Sequence, residues 1–298
     1  DCKPKIILYQ KSFQNIISVV KMERNLKHIN TLIIDRKDKE SFNYKNAITY
    51  SDVNTRKSLK NNIFNHWSLM YTSGTTGKPK GVVRDHKGYY NLSSVTGDEI
   101  GINEDDNALL VMPLCHANSF NFFCAYIKAG ATITLYTKKS FEVNYFFKLI
   151  NNFECTFTSL VPTHFIIILE YLKKCKINNA IKRPFTFMIS SAPARKDTKR
   201  EILKYFKKAK LFELYGSSES GWVTMLHPKD QFNNIGSVGK ECIGTSNIKI
   251  LDKNFEEVKD GEIGELFAKT PYNFSHYWNN KEKKKKAFFG DYVTVGDL

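Results

Sequence analysis

The chain has 298 residues, 42% of them hydrophobic and 13% aromatic, and a formal net charge of +15 from 45 Lys+Arg against 30 Asp+Glu. That length and apolar content exclude a disordered chain or a small stapled module, and leave one large domain or two ordinary ones. The basic excess is spread along the sequence without cations interleaved among stacking aromatics, which argues against a nucleic-acid partner. Its densest run, residues 281–286, reads as a solvated helix face.

Residues 5–9 form an apolar run that reads as a buried strand, and Phe13, Ile16, Ile17 and Val20 follow at helical spacing. A second short strand is expected at residues 31–34. Residues 35–62 are polar, with Tyr44 and Ile48 as anchors, and read as a connecting region. Residues 67–71 form a strand that runs into a glycine-rich loop, and 81–83 leave it as another. Residues 108–113 are apolar, 120–126 aromatic-rich and 131–136 a β-branched strand. A rhythm follows: a helix capped by Ser140, a strand at 155–160, a helix at 163–173, a strand at 185–189, a helix capped by Asp197 and a strand at 211–215. Strand–helix alternation of this kind predicts a doubly wound α/β layer over residues 1–235. From 236 to 298 the texture changes to short, glycine-punctuated strands, at 246–251 and 264–269, and predicts a small β subdomain.

Six cysteines (Cys2, Cys115, Cys124, Cys155, Cys175, Cys242) form no C-x-x-C pair and no zinc spacing with histidine. Several are therefore expected as small buried hydrophobes in a reducing compartment, the cytoplasm or an organelle interior. No apolar run is long enough to cross a bilayer. The sequence begins without Met and ends abruptly at Leu298, so both ends are expected to be cut and no targeting signal is expected to be visible.

The chemistry concentrates in Tyr71-Thr72-Ser73-Gly74-Thr75-Thr76-Gly77-Lys78-Pro79-Lys80-Gly81. Glycines let the backbone approach a ligand, successive N–H groups cradle anions, and hydroxyls and ammonium groups add donors. The loop is suited to a polyphosphate. It is not a Walker loop: only two residues separate Gly74 from Gly77, and Pro79 follows Lys78. A second candidate, Tyr215-Gly216-Ser217-Ser218-Glu219, ends a predicted parallel strand, where ligands of open α/β sheets collect. A carboxylate beside hydroxyls there suits Mg²⁺ shared with phosphate oxygens.

Both stretches resemble signatures of the adenylate-forming superfamily of acyl-CoA synthetases, peptide-synthetase adenylation domains and luciferases. Ser191-Ala192-Pro193, residues 236–239, residues 261–266 and residues 292–298 resemble further motifs of that family, in the same order. The resemblance implies the large N-terminal domain of such an enzyme: stacked α/β sheets with a small β subdomain. It also implies ATP and Mg²⁺ as cofactors, coenzyme A as co-substrate and a small carboxylic acid as substrate. Thr72, Ser73, Gly74, Thr75, Thr76, Gly77 and Lys80 would then bind phosphates, and Glu219 the metal. Ser191, Ala192, Pro193, Tyr215, Gly216, Ser217 and Ser218 would flank adenine, and Asp297 would hold ribose. Lys80, Glu219 and His116 are the expected catalytic residues, and His116, Ser119 and Trp222 line the expected acyl pocket. Residues 113–124 hold no acidic side chain to pair an ammonium, which disfavours an amino acid; the aromatic run Phe120, Phe122, Phe123 and Tyr126 suits an apolar acyl or aryl chain, and the apolar character of the pocket alone points to a fatty acid over an aryl one. The family's second catalytic lysine would lie beyond Leu298, so residues 1–298 alone are expected to be impaired. An acyl-AMP ligase serving a carrier protein, a luciferase-like enzyme and a non-catalytic nucleotide-binding relic remain open at this level.

Overall fold

The computed structural model describes residues 2–24, 26, 28–35, 62–72, 79–178 and 180–298. The connecting region expected at 35–62, with Tyr44 and Ile48, lies almost wholly outside the described residues. The chain divides into two compact units, Asp1–Asn61 and Asn62–Leu298.

In the first unit, strands β1 (Ile6–Tyr9) and β2 (Asn30–Ile33) pair in parallel, with Ile6 opposite Asn30. Helix α1 (Gln14–Glu23) joins them. Parallel strands need such a crossover.

In the second unit, strands β3 (His66–Thr72) and β4 (Lys80–Asp85) form an antiparallel pair, widened on the far side of β4 by β14 (His276–Tyr277). Asp85 ends β4 and caps the next helix, α2 (His86–Ile100), its carboxylate accepting from Gly88 N at 2.6 Å. Gly101 closes that helix with φ +72°, a left-handed conformation suited to glycine.

Strands β5 (Asn107–Leu110), β6 (Thr132–Leu135), β7 (Phe157–Leu160), β8 (Phe185–Ile189), β9 (Ala209–Ser217), β10 (Gly221–Leu226) and β11 (Lys240–Glu241) build a seven-stranded sheet in the order β11-β10-β9-β8-β7-β5-β6. Pairing is parallel from β6 to β9 and antiparallel beyond. Helices α3 (Ala117–Lys128), α4 (Val143–Asn152), α5 (Pro162–Lys174) and α6 (Lys196–Tyr205) join the parallel strands.

Alternating strand residues bury into two cores. Leu109, Leu160, Phe187 and Leu211 pack with α4, α5 and α6 through Phe146, Ile150, Phe165, Ile168 and Ile202. Ala108, Leu110, Phe157, Met188 and Phe212 pack on the other face with α2 and α3 through Leu92, Phe122 and Tyr126. Helices on both faces make this the expected doubly wound layer. Three further short elements follow: the pair β12 (Lys249–Leu251) with β13 (Glu265–Phe267), the helix α7 (Lys281–Ala287), and the pair β15 (Phe288–Phe289) with β16 (Tyr292–Val293).

Two caps differ from expectation. Helix α4 starts at Val143, with Glu142 as its N-cap residue and no side-chain cap. The Tyr136 hydroxyl closes the preceding turn instead, accepting from Glu142 N at 2.7 Å and donating to Ser140 O at 3.1 Å. Helix α6 has Arg195 at its N-cap, and Asp197 sits in the first turn, bonded to Arg200 at 2.9 Å. There its charge still favours the positive helix end. Of the cysteines, Cys155 and Cys242 are buried, whereas Cys2, Cys115 and Cys175 are exposed. Among the described residues no helix is long and apolar enough to cross a membrane.

Candidate active site

Strands β5 and β7 are neighbours, and the crossover from β5 runs to β6 on one side while that from β7 runs to β8 on the other, so they diverge. A crevice opens at the carboxyl ends of the strands beside such a switch point. A cavity of about 390 Å³ lies here, lined among others by Met112, His116, Ser190, Gly216, Ser218 and Trp222.

The turn after β8 forms one side. Ser190, buried, accepts from Asn118 Nδ2 at 2.7 Å and meets Ser159 Oγ at 3.1 Å. Ser191 follows with φ +67°, in the region glycine adopts freely. Ser191 lines the cavity, while Ala192 and Pro193 are exposed and do not line it. Beneath this turn, the buried carboxylate of Glu213 pairs with the buried ammonium of Lys199 at 2.5 Å and reaches Ala194 N at 3.5 Å.

The end of β9 forms the next side. Gly216 faces Trp222 across the β9–β10 pair, and a Cβ on it would stand 2.1 Å from Gly221 O. Only glycine fits. Tyr215 donates its hydroxyl to Asp297 Oδ2 at 2.8 Å, so the residues expected at adenine and ribose are brought together. Burial and the Asp297 carboxylate both push the Tyr215 phenol up, which keeps it protonated and a donor.

Glu219 is 6% exposed and held closely. Its Oε1 accepts from the Tyr277 hydroxyl at 2.7 Å, and its carbonyl from Phe274 N at 2.7 Å. The flanking carbonyls are also taken: Ser218 O by Arg84 Nε at 2.9 Å, and Ser220 O by Thr270 Oγ1 at 2.8 Å. Burial first, then the Glu219 carboxylate, raise the Tyr277 phenol, so the shared proton stays on tyrosine. Lys80 begins β4, and its Nζ stands 5.3 Å from the centre of the Tyr277 ring. Glu219 supplies one carboxylate. Among the described residues no three His, Cys, Asp or Glu side chains cluster to cage a metal. A lone carboxylate beside a phosphate site is the donor set Mg²⁺ accepts, since phosphate oxygens and water complete its shell.

The loop expected to bind phosphates is bracketed by Thr72 and Lys80, cross-strand partners at the ends of β3 and β4. Ser73, Gly74, Thr75, Thr76 and Gly77 lie outside the described residues.

Of the residues expected at the acyl group, His116 is exposed at the N-cap of α3 and lines the cavity, and Trp222 is buried against Phe122 and also lines it. Ser119 differs from expectation: it is buried at 2% and does not line the cavity, whereas Asn118 and Asn121 do. The helix turn carries Asn118 and Asn121 to the cavity and Ser119 inward.

The sequence reading also missed Arg84, Tyr89, Asn118 and Asn121. Arg84 had a signal, a cation following Val82 and Val83 in an apolar strand. It is 4% exposed, and burial pulls its guanidinium below the usual arginine range against the opposing fields of Tyr89 and Glu219. Arg84 Nη2, Asn118 Oδ1 and Asn121 Oδ1 are buried without a hydrogen-bond partner in a wall of this cavity. Orphaned polar atoms of this kind are costly unless something meets them.

A doubly wound sheet with hydroxyl-rich turns, an arginine and a carboxylate at its switch point defines a nucleotide-binding α/β domain. The AMP-binding enzyme family model matches residues 1–278, and the chain belongs to that family. It is 29% identical over 232 residues to 2-succinylbenzoate–CoA ligase of Bacillus subtilis (strain 168), covering 78% of this chain and 46% of the relative. The chain spans about half the length of the curated relatives it matches. In structure it resembles o-succinylbenzoate coenzyme A synthetase of Bacillus subtilis in complex with ATP and magnesium ion. The TM-score is 0.80 at 23% identity, over 100% of this chain and 57% of that one. It also resembles the N-terminal domain of FACL13 from Mycobacterium tuberculosis, with a TM-score of 0.82 at 20% identity, over 98% of this chain and 70% of that one.

Proposed function

We propose that this chain is the nucleotide-binding part of an ATP-dependent acid–thiol ligase. Such an enzyme converts a carboxylic acid to acyl-AMP with release of pyrophosphate, then to an acyl thioester of coenzyme A. The observation that carries the reading is the cavity in which Ser191, Gly216, Ser217 and Ser218 adjoin Trp222, Tyr89 and Leu92, with the Tyr215–Asp297 bond anchored at the residue before Gly216. A nucleotide and an apolar acyl group would thereby meet at one place. Family membership and the ligase relatives support it.

The residues divide the work. Lys80 and the loop that begins after Thr72 would bind phosphates. Asp297 would fix ribose, and Ser191 with Gly216 would flank the base. Glu219 would hold Mg²⁺, which when bound would neutralise charge on the phosphates. The acid would lie against Trp222 and Tyr89 with His116 at the cavity rim, its carboxylate turned toward the nucleotide. Positioning and charge neutralisation would supply most of the rate. We infer a compact aryl acid rather than a long fatty chain as the substrate. The 2-succinylbenzoate relatives support this choice.

Acid-dependent ATP–pyrophosphate exchange on the intact protein tests this. The panel runs from acetate through palmitate to aryl acids, with Glu219→Ala as control. Exchange with one acid class, reduced more than roughly 100-fold in the variant, is the expected result, since even a residue supporting a metal ligand is worth 10- to 100-fold. ATP binding without exchange for any acid would leave a nucleotide-binding relic.

A further inference from the structure

We propose that Tyr277 is a positioning residue that holds the metal-binding carboxylate of Glu219 and the phosphate-binding lysine Lys80 in one fixed arrangement. This rests on the roles given above to Glu219 and Lys80.

Tyr277 lies on β14, with its Cα opposite Val82 of β4, two residues beyond Lys80. That pairing turns the phenol ring toward both groups. The hydroxyl donates to Glu219 Oε1 at 2.7 Å, and the ring centre lies 5.3 Å from Lys80 Nζ. Tyr277 and Glu219 are 3% and 6% exposed, so water does not compete strongly for the bond. A carboxylate that accepts one hydrogen bond on one oxygen presents the other in a defined direction, and outer partners of this kind orient metal ligands. The ring contact lies within the range of a cation–aromatic attraction.

The backbone reinforces the same geometry. The carbonyls of Ser218, Glu219 and Ser220 are taken in succession by Arg84, Phe274 and Thr270. Ser275 N and Trp278 N donate to Val83 O and Gly81 O, at 2.8 and 2.7 Å. The segment 270–278 therefore straps the Glu219 turn to the strand that leaves the phosphate loop, and Tyr277 is where the strap meets both charged side chains. Gly81 belongs to this arrangement, because a Cβ there would meet Leu69 Cδ1 at 2.8 Å and Trp278 Cβ at 3.1 Å.

Two variants of the intact protein separate the two contacts. Tyr277→Phe keeps the ring and loses the hydroxyl, and Tyr277→Leu loses both. Mn²⁺ binding in the presence of ATP is read by electron paramagnetic resonance, and ATP binding in EDTA by calorimetry, with thermal unfolding followed in parallel. Tyr277→Phe is expected to weaken Mn²⁺ binding roughly 10- to 100-fold and to leave metal-free ATP binding unchanged. Tyr277→Leu is expected to weaken metal-free ATP binding as well, by roughly 2- to 30-fold, the span of a cation–aromatic contact from exposed to desolvated settings. Unchanged Mn²⁺ affinity in Tyr277→Phe would overturn the inference while leaving the ligase reading intact. Equal loss of metal-free ATP binding in both variants would overturn it too, by showing a general loosening. Wild-type protein that binds ATP but no Mn²⁺ would remove the metal role of Glu219, and this inference with it.

Discussion

Glu219 and Asp297 are the two carboxylates assigned to the nucleotide, and the protein treats them in opposite ways. Glu219 is buried, its own carbonyl and those beside it are all bonded, and one carboxylate oxygen is fixed by Tyr277. Asp297 is exposed, and the side-chain bond that orients it comes from the Tyr215 hydroxyl. A group that is to face a metal ion and phosphates gains from being placed beforehand, because reorganisation of charge in a dry site is costly. A group that is to accept hydroxyls from a sugar can be ordered as the sugar arrives. The turn at 190–194 falls between these extremes: Ser191, Ala192 and Pro193 are exposed, but Ser190 is buried and the Lys199–Glu213 pair lies under it.

The sharpest way to break this contrast is to remove that support. Lys199→Met would leave the Glu213 carboxylate buried without its partner, and a loss of about 3–5 kcal/mol is expected by urea denaturation. Adding Glu213→Leu should recover most of it, since an apolar pair avoids the desolvation cost. A smaller effect is expected where the two sides meet. Gly216→Ala would drive a methyl group against Gly221 O and should cost about 1–3 kcal/mol in the same measurement, with the β9–β10 pair forced apart. The smallest effect belongs to the open side. Asp297→Ala removes one exposed acceptor, and ATP affinity by calorimetry should fall about tenfold or less, with unfolding unchanged. An Asp297→Ala loss as large as that of Glu219→Ala would erase the distinction.

Many strands were legible as short apolar runs bounded by polar residues, residues 185–189 coinciding with β8, whereas β10, β11 and β14 were not expected. Residues 215–219 were legible through their resemblance to a family motif, since hydroxyls and a carboxylate after a strand end would by themselves equally suit a surface turn. Helix α2 was not, since its buried face mixes Gly88, Tyr89, Leu92, Ser93, Val95 and Thr96, and such a stripe carries little apolar periodicity. Its signals were Asp85 before it and Gly101 after it. The hold on Glu219 was beyond reach for a different reason. Arg84, Thr270, Phe274 and Tyr277 are far from it in sequence, and no local spacing relates them. Ser140 and Asp197 suited helix starts by type, yet a tyrosine hydroxyl and an arginine took those places in space.

The return of the chain at β14 sets an order of assembly. The β3–β4 and β9–β10 pairs join neighbouring strands and close early, because short loops cost little entropy. Strand β4 gains its second neighbour only when residues 276–277 arrive. In chain order, the β3–β4 hairpin is therefore complete long before the strap that holds Glu219 is present. Until then the outer edge of β4 presents unpaired backbone groups, the kind of edge that invites other chains. A nascent chain that has not reached Trp278 has the β3–β4 and β9–β10 pairs but lacks both the hold on Glu219 and the Tyr215–Asp297 bond.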